Sequence, residues 1–238
     1  MKIALLSKIK LFWLHTVAKG FGIPLDYRDY WNERYNAGFD SGKGSYGDLA
    51  IFKSEIVNDF IRKNPVRTVI EFGCGDGNQL QRMHYKEYLG LDVAYSAIEK
   101  CKEIFIRDTS KSFLLYNPKV FVNKGFIKAD LVICLDVLYH IVPEDDYVKT
   151  LDDIFSCSDN YVILYTDTGQ FEKNTYAKGS HICHRNTLHY LEKYADFKVI
   201  EIIPNKFPEL SWANFIILSR LSAKQKDLLC FPISIHEG

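Results

Sequence analysis

From residue 66 onward, short apolar runs alternate with stretches of helical periodicity. The strand candidates are Arg67 to Phe72, Tyr88 to Val93, Ser112 to Tyr116, Asp130 to Asp136, Tyr161 to Tyr165, Phe197 to Ile203 and Trp212 to Leu218. The first five read as compact runs of the kind buried on both faces of a sheet. Helical patterns over Asn78 to Tyr85, Tyr95 to Arg107, Pro143 to Ser156 and Asn186 to Tyr194 separate most of them. Pro143 opens its helix where a missing N–H costs nothing, and Glu144, Asp145 and Asp146 complement the helix dipole. Such alternation predicts an α/β protein with an open, doubly wound, mostly parallel sheet of seven strands. Only Pro204 to Ser211 separates the last two strands, too little for a parallel crossover, so the last strand is expected to run antiparallel.

Ahead of the sheet, Asp26 to Tyr35 and Asp48 to Lys63 read as helices joined by the glycine-rich segment Gly38 to Gly47, and Asn64 with Pro65 stops the second. Residues Met1 to Gly20 have the basic start and apolar body of a signal peptide, but Lys8 and Lys10 interrupt the run and no small-x-small cleavage site follows. The uninterrupted apolar length falls short of the ~20 residues of a membrane span. A helical period places Ile3, Leu6, Trp13, Leu14 and Val17 on one side and Lys8, His15 and Lys19 on the other. Two readings stay open: a helix capping the domain, or a weak membrane-surface foot. The expected organisation is an N-terminal helical cap and lid over 1–65, a core over 66–219 and a tail over 220–238.

Composition narrows the partners. The 30 Lys and Arg balance 30 Asp and Glu, so no long-range field draws the chain to nucleic acid. Six cysteines, Cys74, Cys101, Cys134, Cys157, Cys183 and Cys230, form no C-x-x-C pair. That spacing suits reduced thiols and a cytoplasmic protein, at most peripheral to the inner face of a membrane.

The most specific chemistry lies in VIEFGCGDGNQL, where a strand enters a turn with Gly73, Gly75 and Gly77. Glycines there let a ligand approach where a side chain would clash. A dinucleotide fingerprint would place a third glycine at Asn78, and Glu71 and Asp76 put negative charge where a pyrophosphate would lie. A cationic or zwitterionic ligand with hydroxyls suits this turn better than a nicotinamide cofactor. Asp92, ending the second strand before Val93, is placed to accept hydrogen bonds from both hydroxyls of a ribose. Tyr116 and Asn117 follow the third strand, and Asp136, Tyr139 and His140 follow the fourth. These strand ends converge on one edge of a doubly wound sheet, where ligands of such folds bind.

Through E-F-G-C-G-D-G, the later L-D-V and D-L-V-I-C-L-D-V-L-Y-H, the chain resembles class I S-adenosylmethionine-dependent methyltransferases, with their Rossmann-like sheet. YWNERYNAGFDSGKGSYGDLAIFK and the late SHICHR resemble a bacterial subgroup associated with surface-polysaccharide (capsule or O-antigen) biosynthesis. The resemblance implies S-adenosylmethionine as cofactor and S-adenosylhomocysteine as product. The glycine turn would cradle the amino-acid part, with Glu71 or Asp76 near its ammonium, and Asp92 would hold the ribose. Asn117 stands where many members have an acidic residue toward the adenine amine, and its amide retains the ability to pair with the adenine edge. Asp136 corresponds to the position near the methionine portion and the acceptor.

Methyl transfer from a sulfonium is an in-line displacement that depends on near-attack geometry. A hydroxyl acceptor also loses a proton, for which His140 is the preferred general base and Asp136 the alternative. His181, His184 and Arg185 are candidates to bind an anionic acceptor with Tyr139, and the spacing of His181, Cys183 and His184 does not match common zinc sites, so no metal is expected. The GKGSYG segment reads as a mobile lid, with Tyr46 a candidate cofactor contact. Tyr30, Trp31, Arg34 and Tyr35 read as packing for the N-terminal helix. The expected activity is O-methylation of a sugar, nucleotide-sugar or related surface-glycan precursor. Methylation of an acidic small molecule, on a phosphate or phosphoramidate group, and an inactive cofactor-binding scaffold remain as alternatives. LDVLYH replaces the N-P-P-Y or D-P-P-Y of nucleic-acid amine methylation.

Overall fold

The computed structural model describes residues 2–21, 26–169, 174–176, 181–223 and 225. Most of the expected tail and Cys230 lie outside the described residues, as do 170–173 and 177–180 of the loop that precedes the SHICHR segment.

Three helices precede the sheet: α1 (Lys2–Phe21), α2 (Tyr27–Asn36) and α3 (Gly47–Lys63). Asp26 caps α2 by accepting the Arg28 N–H at 2.9 Å, which satisfies an otherwise orphaned first-turn donor. Then follow β1 (Thr68–Phe72), β2 (Glu87–Asp92), α4 (Tyr95–Ile104), β3 (Lys111–Leu115), β4 (Ala129–Leu135), α5 (Glu144–Cys157) and β5 (Ser158–Thr166). The chain ends with a two-residue pair β6 (Thr175–Tyr176) and β7 (Cys183–His184), then α6 (Thr187–Leu191), β8 (Phe197–Ile203) and β9 (Asn214–Arg220).

The main sheet has seven strands in the order β3-β2-β1-β4-β5-β9-β8. The first five are mutually parallel, and β9 runs antiparallel between β5 and β8. Strand alternation divides the core in two. Ile70, Phe72, Val132 and Val162 pack under α5 through Tyr147, Leu151 and Ile154. Val69, Leu131, Ile133 and Ile163 pack under α3 and α4 through Phe52, Val57, Phe60 and Ile98.

Two expectations need correction. Residues 78–85 form only a single 3-10 turn at Leu80–Arg82, because α3 already covers that face and Leu80, Met83 and Tyr85 pack against it. Edge strand β3 is not covered on both faces: Leu114 and Leu115 are exposed.

Order reversal at β1 and β4 opens a crevice beyond their carboxyl ends, the location at which such sheets bind ligands. Helix α2 and the segment between it and α3 lie over this crevice.

Candidate active site

A cavity of about 280 Å³ occupies the crevice. Its floor is the strand ends: Phe72, Gly73 and Gly75 after β1, Asp92 and Val93 after β2, Tyr116 after β3, and Leu135 to Val137 after β4. Tyr27, Tyr30, Trp31, Arg34 and Tyr35 form one wall, and Ser41 to Ser45 the roof. The wall residues recur at spacings of three and four on α2, so one helix face carries them all. They line the cavity as well as packing the N-terminal helix.

Asp92 is buried, and its carboxylate accepts the N–H groups of Gly75 and Ala94, each at 2.8 Å. Burial raises its pKa to about 6 against the pull of those donors. The Val93 N–H also acts on this carboxylate, so three of its roughly four acceptor positions are taken and one is left for a further donor. Tyr116 is held by donating to Asp153 at 2.8 Å. Asn117 does not line the cavity; its carbonyl oxygen accepts from Arg28 and from the Lys119 N–H.

Glu71 is buried away from the cavity and accepts the Tyr88 hydroxyl at 2.6 Å. Its pKa is pushed up to about 7 by burial. Asp76 does not face the cavity either: it accepts the Tyr46 hydroxyl at 2.7 Å and the Ser41 N–H at 3.1 Å. Asn78 adds a 2.6 Å bond to the Ser45 carbonyl. Asp76, Asn78 and Tyr46 thus latch the roof to the glycine turn, and Tyr46, expected at the cofactor, does not line the cavity because its hydroxyl is committed to Asp76. Gly75 has φ +56°, and a Cβ there would stand 2.6 Å from the Ser41 hydroxyl oxygen, so the turn and roof meet without space for a side chain. Gly77 lies behind them against Phe105 and Cys101.

At the end of β4, Asp136 takes φ +61°, rare for a non-glycine residue. Its carboxylate pairs with the buried Lys53 ammonium of α3 and accepts the Tyr139 hydroxyl at 2.7 Å. Lys53 was invisible as a site residue in the sequence; its signal was a lysine inside the apolar stripe of an amphipathic helix. Gly44 of the roof touches this carboxylate so closely that a Cβ would sit 2.6 Å from its Oδ2.

His140 lines the cavity beside Asp136. A carbonyl only accepts, so the 3.4 Å contact of Nδ1 with the His181 carbonyl makes Nδ1 the donor and leaves Nε2 unprotonated in the neutral ring. Burial lowers the His140 pKa to about 4. His181 stacks between Tyr30, at 4.1 Å, and His140, at 5.1 Å.

His184 and Arg185 do not line this cavity. His184 contacts Asp167 at 3.1 Å. Arg185 is buried, donating to the carbonyls of Ile141, at 2.8 Å, and Val142 while lying over the Tyr147 ring. Its charge is spent holding the chain that follows His140. Among the described residues, no group of three or more His, Cys, Asp and Glu side chains is placed to hold a metal ion.

Residues 70–159 match the family model described as a methyltransferase domain. No curated protein sequence matches the chain. Among solved structures, the magnesium protoporphyrin IX methyltransferase of Synechocystis with bound S-adenosylhomocysteine is 16% identical, covers 82% of this chain and 98% of its own, and has a TM-score of 0.59. The N-methyltransferase NodS of Bradyrhizobium japonicum is 12% identical over 77% of this chain and 93% of its own, with a TM-score of 0.61. CalS10, an amino pentose methyltransferase of Micromonospora echinaspora, is 11% identical over 74% of this chain and 93% of its own, with a TM-score of 0.57.

The sheet order and these likenesses define the class I S-adenosylmethionine-dependent methyltransferase fold. Residues 70–159 form a methyltransferase domain within it. The chain thus carries a methyltransferase domain, and solved structures of this fold hold S-adenosylmethionine or S-adenosylhomocysteine.

Proposed function

We propose that this methyltransferase acts on a hydroxyl of a sugar, nucleotide-sugar or related surface-glycan precursor, with His140 as general base. The observation that carries the reading is the His140 ring in the cavity wall beside Asp136, with Nδ1 against the His181 carbonyl. Asp136 is the poorer base, since its carboxylate is held in an ion pair with the buried Lys53 ammonium and also accepts the Tyr139 hydroxyl.

The residues present fit the cofactor. The crevice runs from the glycine turn to the buried Asp92 carboxylate, flanked by Val93 and Tyr116. Asp92 would hold the ribose hydroxyls, and Gly73, Gly75 and Leu135 to Val137 the remainder. S-adenosylmethionine supplies an electrophilic methyl group when bound there. Tyr30, Trp31 and Tyr35 then offer flat apolar faces to the acceptor ring, while His140 takes the hydroxyl proton.

A second reading, methylation of an acidic small molecule such as a phosphate or phosphoramidate, is favoured by Arg34 and Lys43 in the cavity wall. Turnover with labelled cofactor on paired neutral and anionic sugar acceptors separates the two readings, and absence of turnover on all of them, with cofactor bound, supports the inactive scaffold. His140→Asn is expected to lower turnover by about 10²-fold or more with S-adenosylhomocysteine affinity unchanged. Wild-type activity should persist down to about pH 5, because the imidazole titrates only at about 4. Full activity in the variant would remove His140 from the chemistry.

A further inference from the structure

We propose that α1 is a docking helix for an anionic phospholipid surface, lying in the plane of the bilayer interface. It rests on α2 along one edge only, through buried Leu11 and half-buried Leu14 against Tyr30, Trp31 and Ala37. On its other side Leu5, Leu6, Ile9, Phe12, Trp13 and Val17 are 42% to 68% exposed. At 100° per residue these six fill an arc of about 140°, roughly opposite Leu11. The sequence pattern had joined Leu14 to Leu6, Trp13 and Val17; the structure separates them, giving Leu14 to the protein and leaving the other three open.

An apolar stripe of this size on a water-facing helix is a surface built to be covered. Charge selects the occupant. The helix carries Lys2, Lys8, Lys10 and Lys19 and no acidic residue, in a chain whose net charge is zero. Lys8 and Lys10 fall on the two borders of the apolar arc, where lysines reach anionic headgroups while the stripe enters the acyl boundary; Lys8 lies over the Phe39 ring and Lys10 pairs with Glu33 of α2 at 2.6 Å, contacts that headgroup phosphates would replace. Two copies of α1 facing each other would bring these like charges together. Phe12 and Trp13 add the aromatic groups that settle at interface depth. No described helix is long and apolar enough to cross a membrane, so α1 is suited to lie on the surface. Because α1 packs on α2, docking would hold the aromatic wall of the cavity about one helix diameter, ~10 Å, from the lipid.

The test is co-sedimentation of the full chain with phosphatidylcholine vesicles and with vesicles containing one-third phosphatidylglycerol. It needs neither cofactor nor acceptor, so it succeeds or fails independently of the acceptor class proposed above. Wild type should pellet with the anionic vesicles and bind the neutral ones at least about tenfold more weakly. Leu6→Gln with Trp13→Gln, both exposed positions, should cut binding at least about tenfold with melting temperature and S-adenosylhomocysteine affinity unchanged. Wild type left in the supernatant, or pelleting unaffected by the double substitution, would overturn the proposal. So would a dimer in light scattering that the double substitution dissolves, since the occupant would then be a second copy.

Discussion

Tyr46→Phe removes one oxygen and isolates the roof latch. The lost bond runs from the Tyr46 hydroxyl to Asp76 Oδ2 at 2.7 Å. A hydrogen bond to an ionised acceptor contributes about 1.5 to 3 kcal/mol. Tyr46 is only half-buried, so water recovers part of this and the lower figure applies, near 1.5 kcal/mol or about tenfold in the opening equilibrium. Asp76 keeps the N–H groups of Ser41 and Asn78, with Lys100 at 3.5 Å, so it is not left an unpaired buried charge. Amide hydrogen exchange of Ser41, whose N–H is itself bound to Asp76, reports opening directly. Its rate should rise about tenfold while the amides of β1 and β4 keep theirs. S-adenosylhomocysteine retained under the roof should dissociate faster by a similar factor. Unchanged exchange over residues 41–46 would refute the latch, because a Tyr46 hydroxyl contributing nothing to closure cannot be hiding in the strands.

Glu71→Gln tests the buried acid under the glycine turn. Its pKa is raised by burial from the usual 4.5 to about 7, so its contribution to stability is intact below the unfolded value and lost as pH rises through about 7. Between about pH 5 and pH 8 wild type should lose about 2 kcal/mol through this group, and the amide variant should not; identical pH slopes in urea melts would contradict the assignment. Arg185→Met should destabilise the fold by about 3 kcal/mol through two stranded carbonyls, with Arg185→Lys failing to rescue because an ammonium lacks the planar fork. A stable Arg185→Met protein with weakened affinity for anionic acceptors alone would instead return this residue to the binding site.

The sheet was legible because five parallel strands needed cover, so their apolar runs stood out between helical patterns. Local pattern could not show that α3 pre-empts the face where a helix over 78–85 would have packed. At the site, the strand-end residues Gly73, Gly75, Asp92, Val93, Tyr116, Asp136 and His140 came together as topology required. Tyr30 and Trp31 were read as packing because a ring that packs and a ring that lines a cavity have the same sequence signature. Arg185 misled for the converse reason: a guanidinium implies an anion until its donors are found on the backbone of Ile141 and Val142.

Gly44 gives the roof a property useful at the bench. Unlike Gly75, it has no left-handed backbone, and the atoms nearest to a side chain there belong to Asp136, its Oδ2 first. A methyl group at this position is therefore a wedge: Gly44→Ala should fold normally yet hold the roof ajar, giving crystallographers an entrance for soaking acceptors.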